Sequence, residues 1–235
     1  MDKMKKIIGV LGGMGPEATA DLFLKIIHAT PATLDQEHLR IIVDNNPQIP
    51  DRTAAIMGHG PDPLPFLVDT ANNLIKAGAE FIVMPCHTAH YYYDNLQKCC
   101  SIPILNMIKE SARQALEDFP NLHCIGLLAS KGTIAAGLYD RVFNQMGVQV
   151  FSPPGDHLEP IMKVIYGVKE GRPPGELKPL WMPVVDDLVQ RKVQALILGC
   201  TELPLAIDPT EVAVPVLDPT YILAQRTVEY ALEKD

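Results

Sequence analysis

An internal repeat constrains the fold of this chain more than any single motif does. Three landmarks recur in the same order: an apolar run with a glycine before a loop, an apolar run that ends at a cysteine, and a run that contains a proline. The paired landmarks lie 117, 114 and 112 positions apart: Gly9 and Gly126, Cys86 and Cys200, Pro103 and Pro215. This near-constant offset predicts two structurally similar halves, related by a pseudo-twofold axis. The alternative is a set of generic βα units that merely look alike.

Short apolar runs alternate with longer helical segments along the chain. The runs are four to six residues long and rich in β-branched side chains: residues 7–11, 39–43, 81–84, 102–105, 123–128, 148–151, 195–198 and 214–217. The helical segments between them are residues 18–28, 64–77, 108–119, 134–146, 180–191 and 221–233. Runs of this length and composition are typical of buried parallel strands. The alternation predicts an α/β fold in which each lobe is a mostly parallel sheet flanked by helices.

The length of 235 residues fits one large domain or two small lobes. We expect an N-terminal α/β lobe at residues 1–106 and a C-terminal α/β lobe at residues 107–213. In the last segment, residues 214–235, a helix near 221–233 follows the last strand and is expected to pack back on the first lobe. The cleft between the lobes is the expected active site, since ligand sites favour such interfaces.

Composition excludes several classes of protein. Hydrophobic residues make up 47 % of the chain and the formal net charge is −8, so a core is available and the basic footprint of a nucleic-acid-binding domain is absent. No apolar run approaches the roughly 18 residues that a membrane-spanning helix needs. We therefore expect neither a nucleic-acid partner nor a membrane one.

The N-terminal segment resembles a secretory signal, because basic residues 1–6 precede the apolar run and residues 18–20 resemble a cleavage site. A glycine-rich loop interrupts the apolar run, so a strand followed by a tight loop explains the segment better. The five cysteines are odd in number and lack the spacing of a disulfide framework. A reducing cytoplasm is the expected location.

The two repeated cysteines predict a particular chemistry. Each follows an apolar strand, and in parallel α/β sheets ligands bind beyond the carboxyl ends of the strands. If the lobes face each other, Cys86 and Cys200 approach one cleft from opposite sides. A helix start beyond each cysteine would favour its thiolate. One sulfur can then remove a proton from a carbon while the other returns one on the opposite face, which inverts a stereocentre without a metal or cofactor.

The remaining cysteines, Cys99, Cys100 and Cys124, have no counterpart in the other half and are interpreted as structural. Other residues near the repeated cysteines suit an anionic substrate. Arg52 is a candidate bidentate carboxylate clamp, and Thr88 and Thr201 are candidate hydrogen-bond donors. Glu202 is a candidate to orient a neighbouring group or to hold a contact between the lobes.

Four segments carry a family resemblance: GVLGGMGPEAT at residues 9–19, IPDRT at 49–53, MPCHTAH at 84–90 and LGCTELP at 198–204. Together they resemble the aspartate/glutamate racemase superfamily, and within it the aspartate racemase branch. The glutamate racemase branch carries Asp-Ser-Gly at the first loop and a His after the second Cys-Thr. Here residues 12–14 read Gly-Gly-Met and residue 202 is Glu.

The resemblance implies a cofactor-independent racemase, acting on aspartate or glutamate, with Cys86 and Cys200 as the acid/base pair. It also implies a homodimer. The implied substrate site, to which Glu202 is added, consists of Met14, Gln48, Arg52, His87, Thr88, Lys169, Thr201 and Glu202. One departure affects the substrate expectation: the family usually has Asn after the first catalytic cysteine, whereas this chain has His87, whose charge depends on pH.

Competing interpretations remain at this level. Residues 13–18 formally fit the dinucleotide fingerprint G-x-G-x-x-A after a strand, and Cys86-His87-x-x-His90 resembles part of a zinc site, although four ligands at known spacing are missing. Any lysine can in principle form a Schiff base with pyridoxal phosphate. A racemase of broader specificity, or an inactive clamshell that only binds an amino acid, also fits the pattern.

Overall fold

The computed structural model describes residues 5–233. Residues 1–4 of the N-terminal segment and the last two residues of the predicted C-terminal segment lie outside that range. The strands are β1 (Ile8–Gly12), β2 (Ile41–Asn45), β3 (Phe81–Val83), β4 (Cys124–Ala129), β5 (Gln149–Phe151), β6 (Leu196–Gly199) and β7 (Val216–Leu217). The α-helices are α1 (Pro16–Ala29), α2 (Arg52–Ile56), α3 (Leu64–Lys76), α4 (Tyr93–Cys99), α5 (Met107–Asp118), α6 (Lys131–Ala135), α7 (Leu138–Gln145), α8 (Gly155–Lys169), α9 (Pro174–Gln190) and α10 (Pro219–Leu232).

The strands form two parallel sheets with corresponding topologies. The first sheet has the order β2-β1-β3, and Ile104 adds an isolated parallel bridge to Ile82. The second sheet has the order β5-β4-β6-β7. Strands β1 and β4 thus occupy the same place in the two sheets, as do β3 and β6. The predicted α/β fold with two similar halves is confirmed.

The repeated glycines allow close packing at the central strand of each sheet. A Cβ atom on Gly9 would lie 2.8 Å from Cβ of Ala79, and one on Gly126 would lie 2.4 Å from Cδ2 of Leu196. Both distances are shorter than carbon atoms tolerate, so only glycine fits beneath the neighbouring chain. The first landmark of the repeat therefore reflects packing of the sheet rather than contact with a ligand.

The last segment, residues 214–235, holds a short strand before its helix, in agreement with the strand predicted at 214–217 and the helix predicted at 221–233. Val216 and Leu217 form β7 and extend the second sheet, and the Leu196 N–H donates to the Pro215 carbonyl. The helix α10 starts only at Pro219, where the Asp218 side chain accepts hydrogen bonds from two backbone N–H groups. From there α10 packs against β1 and α1 of the first half, through residues that include Leu223, Ala224, Val228 and Ala231.

Prolines and one glycine account for most other differences from the predicted elements. The helix α8, absent from the prediction, contains Pro160, and α9 begins at Pro174 and contains Pro179 and Pro183. The segment predicted as one helix over residues 134–146 is divided between α6 and α7 at Gly137, whose φ of 58° breaks the helix. The predicted strand at residues 102–105 makes only the bridge at Ile104. No helix within residues 5–233 is long and apolar enough to cross a membrane.

Candidate active site

The loops that follow β1, β3, β4 and β6 converge on one cavity between the two sheets. Cys86 follows β3 and Cys200 follows β6, and both buried cysteines line this cavity. Its volume is about 30 Å³, which leaves room for roughly two water molecules. The cavity is lined by Met14, Asp51, Arg52, Thr53, Cys86, His87, Thr88, Ser130, Met162, Ile165, Tyr166, Lys169, Cys200, Thr201 and Glu202.

Cys200 lies beside a buried carboxylate. Its thiol donates to Oε2 of Glu202 at 2.9 Å, and the Thr201 hydroxyl donates to the same oxygen at 3.3 Å. Burial, followed by the charge of Glu202, raises the pKa of the Cys200 thiol well above its ordinary value, while Lys169 opposes this shift. Cys200 is therefore protonated in the free protein, and Glu202 is positioned to accept its proton.

Lys169 reaches the cavity from the C-terminal end of α8. Its Nζ lies 3.6 Å from Oε1 of Glu202. Burial lowers the pKa of Lys169, but the Glu202 carboxylate and the two cysteine sulfurs outweigh burial, so the pKa is raised overall. This side chain is thus a permanent cation in the cavity wall.

The elements that follow the two cysteines differ from the expected helix starts. A 3₁₀ helix, Thr88–Tyr92, follows Cys86 and runs directly into α4, whereas a single 3₁₀ turn, Leu203–Leu205, follows Cys200. Such a short turn aligns few peptide dipoles, so it favours the Cys200 thiolate less than an α-helix would. The charges of Lys169 and Glu202 therefore dominate the electrostatics near Cys200.

His87 and His90, which suggested part of a zinc site, are both buried and neutral. Burial lowers the pKa of His87 to about 3 and that of His90 to about 4. Nδ1 of His90 lies 2.8 Å from the Cys86 carbonyl, and Nε2 accepts from the Met107 N–H at 3.1 Å. Both ring nitrogens of His90 are thus used by the backbone. Within the described chain, no group of three or more His, Cys, Asp or Glu side chains is arranged to hold a metal ion.

His87 faces the cavity and bonds to the second half of the chain. Its Nδ1 lies 2.8 Å from the hydroxyl of Tyr139 on α7. Because burial keeps the ring neutral, its charge does not vary near neutral pH in the free protein, contrary to the expectation from sequence.

Arg52 lines the cavity but uses much of its guanidinium on the backbone. Nη1 donates to the carbonyls of Ile49 and Pro50 at 3.1 and 3.0 Å, and Nη2 donates to the Met14 carbonyl at 3.2 Å. Nε is buried and has no hydrogen-bond partner among residues 5–233. A substrate carboxylate can therefore engage the remaining N–H groups, or compete for those held by the carbonyls.

Three buried hydroxyls join the two halves at the cavity wall. Thr88 Oγ1 lies 3.0 Å from Ser130 Oγ and 2.9 Å from Thr133 Oγ1, and the last two atoms are 3.1 Å apart. Thr88 was predicted from the sequence as a site residue, whereas Ser130, Thr133 and Tyr139 were not. The repeat itself contained a signal for Ser130, because its loop follows β4 as the Met14 loop follows β1.

Most of the predicted site residues lie together, with one exception. Met14, Arg52, His87, Thr88, Lys169, Thr201 and Glu202 line the cavity with the two cysteines. Gln48 is exposed in the turn after β2 and is absent from the cavity lining described for residues 5–233. Its backbone N–H donates to Oδ1 of Asn46 at 3.1 Å.

A second, larger space of about 380 Å³ opens to solvent beside the cavity. Met14, Arg52, Lys169 and Glu202 border both spaces and form the wall between them. Since the inner cavity is much smaller than an amino acid, a substrate of that size would either extend into the outer space or displace this wall.

Comparison with known proteins identifies the family. The sequence matches the profile of the Asp/Glu/hydantoin racemase family over residues 11–227. The chain belongs to this family. It is therefore a racemase-type isomerase, which disfavours the dinucleotide interpretation of residues 13–18. In the structure, Gly13 of that segment packs against the backbone of Asn46, where a Cβ atom would lie 2.3 Å from the carbonyl carbon.

Relatives of known name cover nearly the whole chain. A solved aspartate racemase from Picrophilus torridus is 30 % identical, with a TM-score of 0.85, and the match covers 96 % of this chain and 94 % of that one. A solved aspartate racemase homologue from Pyrococcus horikoshii OT3 is 26 % identical, with a TM-score of 0.76, over 98 % of this chain and all of that one. The broad specificity amino-acid racemase RacX of Bacillus subtilis (strain 168) is 27 % identical over 94 % of this chain and 96 % of its own length.

Proposed function

We propose that this protein is a cofactor-independent amino-acid racemase in which Cys86 and Cys200 form the acid/base pair. One observation carries the proposal: the two cysteines follow corresponding strands, β3 and β6, and line the same cavity. We propose further that residues 1–106 and 107–213 act as two lobes, each of which supplies one thiol. The alternative of an inactive clamshell that only binds an amino acid receives no support, since both thiols are present.

The reaction requires a matched pair of proton transfers. One cysteine, as thiolate, removes the proton from Cα, and the electron pair of the broken C–H bond delocalises into the α-carboxylate. The other cysteine, as thiol, delivers its proton to the opposite face of Cα and becomes the thiolate. Each turnover exchanges the roles of the sulfurs, and a turnover in the reverse direction restores them. Glu202 can hold the Cys200 proton when that sulfur must begin as the base.

The electrostatics of the site favour an acidic amino acid, with aspartate first and glutamate second. Lys169 and the free donors of Arg52 supply positive charge for carboxylates. Thr88 and Ser130 contribute hydroxyls at the wall shared by the two halves. A racemase of broader specificity is the second candidate, and the similarity to RacX along nearly the whole chain favours it.

The setting of the enzyme is part of the same proposal. We propose a homodimer, supported by exposed large apolar side chains on elements that include the edge strand β2: Phe23, Leu24, Val43 and Phe66. Sedimentation equilibrium at micromolar concentration tests the dimer, and a single monomeric species would contradict it.

We also propose a cytoplasmic location, supported by five free thiols, Cys86, Cys99, Cys100, Cys124 and Cys200.

The function is tested by incubating the purified protein with each L-amino acid in D₂O and following the α-proton by NMR. The expected result is loss of the α-proton signal together with appearance of the D-enantiomer, with aspartate the fastest. Comparable rates for many neutral amino acids would favour the broader racemase. Binding without exchange for any amino acid would contradict racemisation.

A further inference from the structure

The two ring nitrogens of His87 have different surroundings. Nδ1 lies 2.8 Å from the Tyr139 hydroxyl, whereas Nε2 is buried and has no hydrogen-bond partner among the described residues. The residue is 2 % exposed and lines the catalytic cavity. A buried polar nitrogen without a partner costs about 1–3 kcal/mol. The position of Nε2 in the cavity wall indicates that a ligand atom supplies its missing hydrogen-bond partner.

Tyr139 determines which nitrogen of His87 carries the proton. Burial raises the pKa of the Tyr139 phenol well above its ordinary value and lowers that of His87 to about 3, so both groups are neutral. A phenol is a good donor and a poor acceptor, while an unprotonated imidazole nitrogen is a good acceptor. Ser111, another polar neighbour of the phenol, donates its own proton to the Met107 carbonyl, and its oxygen is a weaker acceptor than the imidazole.

The hydrogen-bond network therefore assigns the hydroxyl of Tyr139 as donor to Nδ1 of His87. A neutral imidazole carries a single ring proton, which must then be on Nε2. The side chain presents an N–H group, rather than a lone pair, to the cavity.

We propose that Tyr139 is a positioning residue that acts through His87: it holds the proton on Nε2, so that a neutral N–H donor meets a carboxylate oxygen of the substrate. The substrate class it selects is an amino acid with a carboxylate at this wall, a detail that rests on the proposed racemase function. The opposite tautomer would direct a lone pair at that carboxylate and repel it. Arg52 and Lys169 supply positive charge for the carboxylate, and the His87 N–H group orients it through a directional hydrogen bond.

The ring proton is measured by a long-range ¹H–¹⁵N correlation spectrum of uniformly labelled protein, with His87→Asn used to identify the His87 signals. The expected result is a protonated Nε2 and an unprotonated Nδ1 in the wild-type protein, and a mixture of tautomers in Tyr139→Phe. A protonated Nδ1 in the wild-type protein, or the same tautomer in Tyr139→Phe, would overturn the proposal. This readout does not depend on catalysis, so it remains decisive if no amino acid is racemised.

Because Tyr139 is fully buried, its substitution can act through packing as well as through His87. Steady-state kinetics separate the two effects. Tyr139→Phe is expected to raise KM for aspartate about tenfold, the effect of one hydrogen bond, with a smaller change in kcat. In the His87→Asn background the amide brings its own N–H donor, so the same change should leave KM unaltered. Equal increases in both backgrounds would mean that Tyr139 only packs, and would overturn the proposal.

Tyr93→Phe is the matched control. It also removes a phenol hydrogen bond, which Tyr93 donates to the Ile104 carbonyl at 3.0 Å. Tyr93 is not among the residues that line the cavity within the described chain, so this variant should keep the wild-type KM.

Discussion

At the scale of single residues, the two proposed catalytic thiols have unequal surroundings. Cys200 bonds to the buried Glu202, which pairs with the partly exposed Lys169, whereas Cys86 follows β3 beside two neutral histidines. Glu202 both raises the pKa of the Cys200 thiol and offers an acceptor for its proton. This asymmetry indicates that Cys200 is protonated in the resting enzyme.

Glu202→Gln tests the role of this carboxylate. Removing the negative charge should lower the pKa of the Cys200 thiol, so its alkylation by iodoacetamide should reach half-maximal rate at a lower pH than in the wild-type protein. Mass spectrometry of the Cys200 peptide gives that pH. Racemisation should nevertheless fall, by about 10² if Glu202 receives the thiol proton.

Glu176→Gln, a change at an exposed position on α9, is the control and should alter neither the alkylation midpoint of Cys200 nor the rate of racemisation. An unchanged or higher midpoint for Cys200 in Glu202→Gln would show that Glu202 does not control this thiol.

His90 makes the folded state sensitive to acid. Its pKa is lowered from 6.5 to about 4 by burial, so the unfolded chain binds a proton that the folded chain does not between these pH values. Stability should therefore fall as pH decreases below about 6.5, by roughly 1 kcal/mol per pH unit for this group. In His90→Gln that part of the slope should disappear from the free energy of unfolding in urea, measured between pH 4.5 and 7.

His59→Gln, a change at an exposed histidine, should keep the wild-type dependence on pH. A wild-type slope in His90→Gln would mean that His90 is already protonated in the folded protein.

The site residues were not equally predictable from the sequence, for identifiable reasons. Cys86 and Cys200 were predicted because a repeat marks both positions, and Lys169 only because the family resemblance implied it. Tyr139 and Thr133 become part of the site solely through tertiary contacts with His87 and Thr88, which no local pattern encodes. The charge of His87 was mispredicted because burial, rather than residue type, determines its pKa.

At the scale of secondary-structure elements, short helices hold the two halves against each other at the site. The helix α2 of the first half packs on α6 of the second. At Gly132 the backbone of α6 lies close to Thr53 of α2. A Cβ atom on Gly132 would lie 2.5 Å from Oγ1 of Thr53 and 2.9 Å from Cγ2 of Thr88. Both threonines line the cavity, so this contact sets part of its width.

Gly132→Ala should force α2 and α6 apart. We expect a loss of about 1–3 kcal/mol in the free energy of unfolding, as for other overpacked sites, and at least a tenfold lower kcat/KM as the cavity wall shifts. Urea denaturation and steady-state racemisation measure the two effects.

Gly175→Ala, at an exposed position of α9, is the matched control, since a Cβ there meets no described atom within 4 Å. Wild-type stability and kinetics in Gly132→Ala would mean that the halves do not meet closely at this point in solution.

The helix α8 and the first part of α9, which sequence patterns failed to predict, share a cause. Proline is a strong signal for a turn, yet α8 and α9 carry Pro160, Pro179 and Pro183 within their helices. Tertiary packing compensates for the missing N–H groups: Trp181 and Leu177 of α9 and Ile165 of α8 are buried in one core. A pattern that considers only neighbouring residues cannot detect such compensation.

At the scale of the whole molecule, the sequence repeat becomes a repeated sheet topology in which each half contributes one cysteine to the lining of a shared cavity. The correspondence between the two sheets was predictable because β1 and β4, like β3 and β6, carry the same landmarks. The crossing of α10 back to the first half ties the two sheets together, and Arg226 of α10 bonds Gln114 and Glu117 of α5. A site built from two such halves should divide the work between them, one thiol for each face of Cα.

Exchange of the α-proton in D₂O by single-cysteine variants measures this division directly. Cys86→Ser and Cys200→Ser should each lower racemisation by at least about 10², because a serine hydroxyl is far less acidic than a thiol. Each variant should still exchange the α-proton of one aspartate enantiomer, with retention of configuration, and the two variants should prefer opposite enantiomers. Cys99→Ser, a change at an exposed thiol, should behave as the wild type. Racemisation at the wild-type rate by either Cys86→Ser or Cys200→Ser would contradict the two-thiol mechanism.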